Sequence, residues 1–306
     1  MDSPAVSLLF CTRNRAEQLK SCLEYVARLN SSCSWELVVV DNGSIDDTGR
    51  VLSDYAATVP FSTTIVYEGK PGKSRGLNRG LRVTRGEIVA LIDDDCYVAP
   101  DYIDRVREIF DDPRIGFAGG RVELFDPADY PISITTSTVL EFLAPRSYVP
   151  PGWILGANMM FRRQVLEAIG GFDPELGPGM RFSSGEDPDV QARASFAGWW
   201  GLYNPDVVVA HHHRRKAKDA AALTRVYLRG GGTYMAKFLL LSETRSVYLG
   251  VLSRRWYWEI LRILRGNRPF PNYLWEGQGF AGYLAHRLRK RAVHIFCRRH
   301  TRRRAT

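Results

Sequence analysis

The stretch Ile88-Val89-Ala90-Leu91-Ile92 runs straight into Asp93-Asp94-Asp95-Cys96. An apolar run of this length, rich in β-branched side chains and lacking polar alternation, suits a strand buried on both faces of a mostly parallel sheet. In such sheets ligands bind beyond the carboxyl ends of the strands. Three adjacent carboxylates repel one another and are costly to hold together without a cation, so a hard divalent metal is their natural partner. The competing reading is a helix N-terminus, because Asp caps helices well and Asp101 opens a helical pattern shortly afterwards.

The chain before this stretch repeats one arrangement. Val6 to Phe10 reads as a first strand, and Cys11-Thr12-Arg13-Asn14-Arg15 turns into a helix carrying Leu19, Leu23, Val26 and Leu29. Trp35 to Val40 reads as a second strand, followed by Asp41-Asn42-Gly43-Ser44 and a helix capped by Asp46 or Asp47. Ser62 to Tyr67 is a third, and the glycine-rich basic turn Gly69-Lys70-Pro71-Gly72-Lys73-Ser74-Arg75-Gly76 precedes a helix over Leu77 to Val83. Strands alternating with helices at this spacing predict an α/β, doubly wound, mostly parallel sheet flanked by helices, with the strand ends sharing one edge. Gly72-Lys73-Ser74 ends like a phosphate-binding P-loop, but Tyr67 stands where that motif needs its first glycine.

A net charge of +9 and a pI near 9.4 favour phosphorylated ligands, nucleic acid or an anionic membrane without choosing among them. Cys11, Cys22, Cys33, Cys96 and Cys297 form neither a CxxC pair nor a dense scaffold, so reduced thiols in the cytoplasm are expected. Neither a signal-type segment nor an apolar stretch long enough to span a bilayer is visible.

Asp41-Asn42-Gly43-Ser44 after the second strand and Asp93-Asp94-Asp95 after the fourth, with Val6 to Ala16 before them, resemble the family two glycosyltransferases with the GT-A fold. The resemblance runs from Val6 to about Arg215 and implies a nucleotide-sugar half over about 1–118 and an acceptor half over about 119–215. It implies Thr12 and Asp41 beside the base, Arg75 or Lys73 near the base or diphosphate, and Asp93 or Asp94 on the ribose. Asp95 is then the ligand of Mn²⁺ or Mg²⁺ bridging the diphosphate. A departing diphosphate needs such stabilisation of its developing charge.

Further along, Ile154 to Arg163 and Gly170-Gly171-Phe172-Asp173 are similar to segments lining the family's sugar pocket, which makes Gly156, Asn158 and also Trp199 sugar- or acceptor-binding candidates. Loops and a helix are expected between Gly119 and Pro151. Gly185-Glu186-Asp187-Pro188-Asp189 opens a helix, and the resemblance implies that Asp187 is the general base of an inverting transfer, with Glu186 orienting or binding the acceptor. Capping carboxylates would look the same. The strand before His211-His212-His213 ends where the family often adds a histidine to the metal or diphosphate site. His211 and His213 could share a face, so one of them is the candidate.

From about 216 to 306 a helical, basic region is expected. Leu223 to Leu241 and Tyr248 to Leu264 read as amphipathic helices bearing Arg225, Arg229, Arg254, Arg255, Arg262 and Arg265, and the basic runs Arg287 to Arg291 and Arg302 to Arg304 follow. With Trp256, Tyr257 and Trp258 they suit an anionic membrane surface at the inner face of the membrane, or else a packed subdomain or a dimer face. The expected activity is a metal-dependent inverting transfer from a nucleotide sugar, UDP-linked by preference, to a hydroxyl on a glycan, a lipid-linked sugar or a small molecule, in cell-surface polysaccharide synthesis among other settings. A nucleotidyltransferase acting on sugar phosphates lacks its N-terminal glycine-rich loop here. A non-catalytic nucleic-acid-binding protein would explain the basic tail but not acids at successive strand ends, so no nucleic acid partner is expected.

Overall fold

A computed structural model describes residues 3–266 and 272–302, the last ten of these by backbone alone. The side chains of Arg302-Arg303-Arg304 and Cys297 therefore lie outside the described residues. Two compact units are present, Met1–Ala221 and Ala222–Thr306.

The first unit is a nine-stranded sheet covered by helices. β1 (Val6–Thr12), β2 (Trp35–Asp41), β3 (Ser62–Tyr67) and β4 (Ile88–Ile92) stand parallel in the order β3-β2-β1-β4. Between them run α1 (Ala16–Ala27), α2 (Thr48–Thr58) and α3 (Lys73–Leu81). In α1 the apolar residues at i, i+3, i+4 and i+7, Leu19, Cys22, Leu23 and Val26, are the buried ones, so one stripe meets the sheet and the rest faces solvent. All five residues of β4 are buried, as a strand covered on both faces requires.

Beyond β4 the sheet turns mixed. β5 (Cys96–Val98), α4 (Tyr102–Ile109), β6 (Ile115–Leu124), β7 (Glu141–Leu143), β8 (Asn158–Arg162), α5 (Arg163–Ile169), α6 (Glu186–Phe196) and β9 (Trp200–His211) complete the unit. The order continues β4-β8-β6-β9-β5, with β8 antiparallel to both β4 and β6, and β9 parallel to β6 but antiparallel to β5 and β7. Between Gly119 and Pro151 the expected helix is replaced by the end of β6, loops and the short strand β7. Pro127, Pro131, Pro145, Pro150 and Pro151 interrupt this segment, and proline inside a helix removes a hydrogen bond and clashes with the preceding turn.

The second unit consists of helices: α7 (Ala217–Leu240, which begins in the first unit), α8 (Ser242–Leu264) and α9 (Asn272–Arg302). An added Cβ at Gly232 would lie 1.9 Å from the Glu276 carbonyl oxygen and one at Gly279 1.9 Å from that of Arg229. Glycines therefore set the close crossing of α7 and α9. The hydroxyls of Tyr234 and Tyr248 bond to each other, and Phe238 stacks on Tyr248 at 5.0 Å between centroids, tying α7 to α8. No helix among the described residues is long and apolar enough to cross a membrane.

Candidate active site

Parallel pairing brings Thr12, Asp41 and the acids after β4 to one edge. Thr12 lies opposite Asp41 in register, both buried. Asp41 Oδ1 accepts the Ser44 amide at 2.9 Å and shapes the turn after β2. Its neighbour Asn42 is a brace: Nδ2 donates to the carbonyls of Glu68 (3.2 Å) and Lys70 (3.0 Å), while Oδ1 accepts the Gly72 amide at 2.7 Å. The basic turn is thus fastened to the end of β2. At Gly72 φ is +139° and a Cβ would come within 2.0 Å of Met180 Sδ, so any side chain there strains the backbone and displaces Met180. The segment after α5 folds over this turn, with the Lys73 amide donating to the Pro178 carbonyl at 3.0 Å and Ser74 Oγ to that of Leu176 at 2.6 Å.

Of the two basic candidates in the turn, only Lys73 faces inward. Its ammonium pairs with Asp93, whereas Arg75 is exposed and donates to the Pro71 carbonyl at 3.3 Å. Burial alone would lower the lysine's pKa, but the carboxylates of Asp93, Asp187 and Glu186 outweigh it and hold the group well above the ordinary value. Lys73 is the cation around which three acids from two elements gather.

The other two acids after β4 share a second cation, Arg15. Asp94 is buried, and desolvation pushes its carboxyl up to about 6 against the pull of Arg15. Asp95 Oδ1 lies 3.1 Å from His211 Nε2, and its Oδ2 lies 3.5 Å from an Arg15 guanidinium nitrogen. Burial would raise the Asp95 pKa, yet the hydrogen bond and charge of His211, with Arg15, hold it below the usual carboxylate range. His211 answers in kind: burial works to lower it, and Asp95 keeps it raised.

Metal-ligand atoms of Asp95, Cys96 and His211 lie within 4.8 Å of one another. Desolvation holds the Cys96 thiol well above its ordinary pKa, so it stays a neutral sulfhydryl and a poor ligand for a hard cation. A carboxylate oxygen and an imidazole nitrogen remain. That donor pair fits Mn²⁺ or Mg²⁺ and leaves most coordination positions to ligand oxygens and water.

Across from Lys73 stands the first turn of α6. The Gly156 amide donates to Asp187 Oδ2 at 2.9 Å, and an added Cβ at Gly156 would come within 2.5 Å of Oδ1. Burial raises the pKa of Asp187, with Lys73 opposing and Asp93 adding to the rise. Glu186 is pushed up to about 8, by burial first and then by the neighbouring Asp187. Neither acts as a side-chain cap of the helix, whose N-cap is Gly185. Asp189 is fully buried and pairs with Arg193 one turn on, at 2.8 Å.

Three sequence-predicted candidates do not join these clusters. Trp199 immediately precedes β9 beside Trp200, which pairs with Ile115 at the start of β6; its indole packs on Gly116. Since β6 is antiparallel to β8 and β8 to β4, this is the sheet edge remote from the aspartates, and Trp199 is corrected to a packing residue. Asn158 lies at the right edge, opposite Ile92, but is fully buried. Its amide is spent on the carbonyls of Arg121 and Val207, each at 2.9 Å, and its Oδ1 on the Tyr102 hydroxyl at 3.0 Å. His213 turns from Asp95 to Asp129, with Nδ1 3.8 Å from Oδ2, leaving His211 alone on the acid triplet.

The pattern of residues 7–170 matches the model of glycosyl transferase family 2, more than half of the chain. The chain belongs to that family, and it is an enzyme. Glycosyltransferase AglE of Haloferax volcanii is 26% identical over 217 residues, covering 69% of this chain and 68% of that protein. The putative glycosyltransferase EpsH of Bacillus subtilis is 30% identical over 106 residues, 35% of this chain and 30% of that protein. Among solved structures, the mannosyltransferase PcManGT of Pyrobaculum calidifontis, in complex with GDP-Man and Mn²⁺, superposes with a TM-score of 0.57 at 20% identity, covering 93% of this chain and 86% of that one. S. aureus TarS 1-349 in complex with UDP-GlcNAc gives 0.60 at 16% identity, over 79% and 69%. These likenesses establish the fold as GT-A type.

Two residues of this glycosyltransferase escaped the sequence reading. Arg15 was visible only as one of two arginines in the turn after β1, of which Arg13 is exposed and Arg15 reaches Asp95. Asn14, at φ 52°, makes the bend that separates them. Asn42 stands inside the Asp41-Asn42-Gly43-Ser44 motif, but nothing in the sequence says that its amide reaches across to the turn at Gly72.

Proposed function

We propose that the chain transfers a sugar from a nucleotide-linked donor, with UDP the favoured nucleotide, to an acceptor hydroxyl, with inversion at the anomeric carbon and dependence on a divalent metal. The observation that carries this reading is the meeting of Asp93, Lys73, Glu186 and Asp187 around one cleft at the carboxyl edge of the sheet. In this reading Thr12 and Asp41 receive the base, Asp93 or Asp94 the ribose, and Lys73 the diphosphate, with Arg75 at the rim. Asp95 and His211 hold the cation, which supplies charge neutralisation to the departing diphosphate.

The chemistry follows from the two neighbouring acids of α6. Two carboxyls side by side in a buried site do not both ionise readily. With Glu186 pushed up to about 8, it is protonated at neutral pH and can donate a hydrogen bond to the acceptor. Asp187, opposed by Lys73 and held by the Gly156 amide, carries the negative charge and takes the proton of the acceptor hydroxyl. The acceptor oxygen bonds to the anomeric carbon as the bond from that carbon to the phosphate oxygen breaks, and the electron pair leaves with the diphosphate. Lys73 and Arg15 stay cationic throughout and compensate charge without giving up a proton.

The names of the relatives support nucleotide-sugar donors, since PcManGT was solved with GDP-Man and TarS with UDP-GlcNAc. A glycan or lipid-linked acceptor in cell-surface polysaccharide synthesis is the corresponding acceptor proposal. Cys11, Cys22, Cys33 and Cys96 are free thiols, which supports a cytoplasmic setting. The test is donor hydrolysis over a panel of sugar nucleotides with Mn²⁺, then transfer by Asp187→Asn. Retained donor binding with lost transfer is expected. Wild-type transfer by that variant would sink the base assignment, and a product of retained anomeric configuration would sink the inversion.

A further inference from the structure

Helix α8 is built inside out. Its buried residues are Thr244, Tyr248 and Glu259, and Glu259 is only 4% exposed, held by Arg262 at 3.1 Å. Apolar residues follow helical spacing on another face: Leu249, Trp256, Tyr257, Ile260, Ile263 and Leu264, at i, i+7, i+8, i+11, i+14 and i+15. The i+4 position on that face is the small Ser253. Each of these side chains is exposed, although Trp256 also stacks on Tyr273 at 5.7 Å between centroids. Trp256 is 50% exposed, Tyr257 58%, Ile260 53% and Leu264 76%. An apolar stripe of this length on a helix marks an interaction surface rather than scattered exposure.

Charge selects the occupant. Of the 42 Lys and Arg in the chain, 18 fall in residues 222–306, against 3 of the 33 Asp and Glu. The second unit thus carries a net +15 while the rest of the chain carries −6. Arg254 makes no ion pair among the described residues, and Arg265 is exposed at the end of the stripe. A second copy of the chain would set one +15 unit against another. A nucleic acid would take the charge but leave Ile260 and Leu264 nothing apolar to enter. A bilayer bearing anionic lipid satisfies both features, since aliphatic side chains enter the acyl boundary, Trp and Tyr sit at headgroup level, and cations face the phosphates.

We propose that the α8 stripe from Leu249 to Leu264 is a membrane-docking surface for anionic lipid bilayers. The proposal stands independently of the donor site, since none of these residues belongs to it. The experiment is flotation of the full chain with vesicles of phosphatidylcholine alone and of phosphatidylcholine mixed with phosphatidylglycerol, compared with Ile260→Glu and Tyr257→Glu. Both substitutions point outward, and thermal melting with donor hydrolysis confirms that the variants are folded. Binding to the anionic vesicles only, reduced about tenfold or more in each variant, is the expected result. Four outcomes would overturn the proposal: no flotation with anionic vesicles, flotation unchanged in the folded variants, self-association that the substitutions abolish without any vesicle binding, or retention on single-stranded nucleic acid with no vesicle binding.

Discussion

Replacing Gly156 by alanine tests whether Asp187 acts as a placed base. Gly156 is not among the residues with positive φ, so alanine meets no backbone strain there. The added Cβ, however, lies 2.5 Å from Asp187 Oδ1, 2.8 Å from Oδ2 and 2.9 Å from Cγ. The nearer oxygen must retreat by about 0.5 Å to reach even 3.0 Å, and the 2.9 Å bond from the Gly156 amide is stretched with it. A displacement of about 1 Å in a reacting group costs on the order of 100-fold in rate, so a loss of roughly 10- to 100-fold in kcat, about 1.4–2.7 kcal/mol, is expected. Donor affinity should stay within about twofold, because the nearest atoms the added Cβ meets all belong to Asp187. The assay is steady-state transfer with separate kcat and KM for donor, repeated in the Asp187→Asn background. If the carboxylate is the element displaced, alanine at 156 adds nothing once the carboxylate is gone. A wild-type kcat for Gly156→Ala, or full additivity with Asp187→Asn, would refute the reasoning.

Lys73→Met removes the cation that opposes the rise of Asp187, so the base titrates higher still. In the proposed reaction transfer requires the ionised carboxylate and falls as pH drops through that pKa; the acidic limb of kcat should therefore move to higher pH, read from a pH profile. Asp95→Ala should abolish the increase in Tm that UDP produces with Mn²⁺, and chelator should do the same to the wild type; the unliganded Tm of the variant itself falls, because His211 and Arg15 lose their buried partner. Gly72→Ala meets Met180 at 2.0 Å with φ at +139°, and should lower stability by about 1–3 kcal/mol in denaturant unfolding. Glu36→Gln breaks an internal network, in which the buried carboxylate accepts Ser7 Oγ at 2.7 Å, the Arg85 amide at 2.6 Å and Arg85 Nε at 2.9 Å, and should cost about 2 kcal/mol at neutral pH. Burial would raise the Glu36 pKa, but Ser7 and Arg85 lower it overall. Its stabilisation is thus complete above the ordinary glutamate range and fades as pH falls through the folded value, so the gap between wild type and variant should narrow in acid.

What the sequence disclosed follows from what a strand run encodes. β3 and β4 begin and end where their apolar or β-branched runs do, and the parallel half of the sheet with Thr12, Asp41 and Asp93 on one edge follows from strand-helix alternation alone. Past β4 that logic fails. The antiparallel β8 reverses direction, so a residue near a strand start is at the site in one strand and remote from it in another. Gly156 and Asn158 precede or open β8 and lie at the cleft edge, whereas Trp199 precedes β9 and lies at the far one. Spacing in sequence does not contain that reversal. The direction of a side chain beyond a strand end is likewise invisible: His211 is the last residue of β9 and reaches Asp95, while His213, two residues on, has left the strand and turns to Asp129.

The acid triplet itself divides rather than acting as one metal cage. Asp93 leans on Lys73 and through it on the α6 acids; Asp95 leans on Arg15 and His211. Lys73 acts on Asp93, Asp187 and Glu186, and Arg15 on Asp94 and Asp95, yet burial still pushes Asp94 up to about 6 and Glu186 up to about 8. Lys73, Arg15 and His211 offset part of the repulsion among these acids. In the proposed site a cation held by Asp95 and His211 would add to these protein cations, and the charge it would answer is the one that a diphosphate brings to the same place.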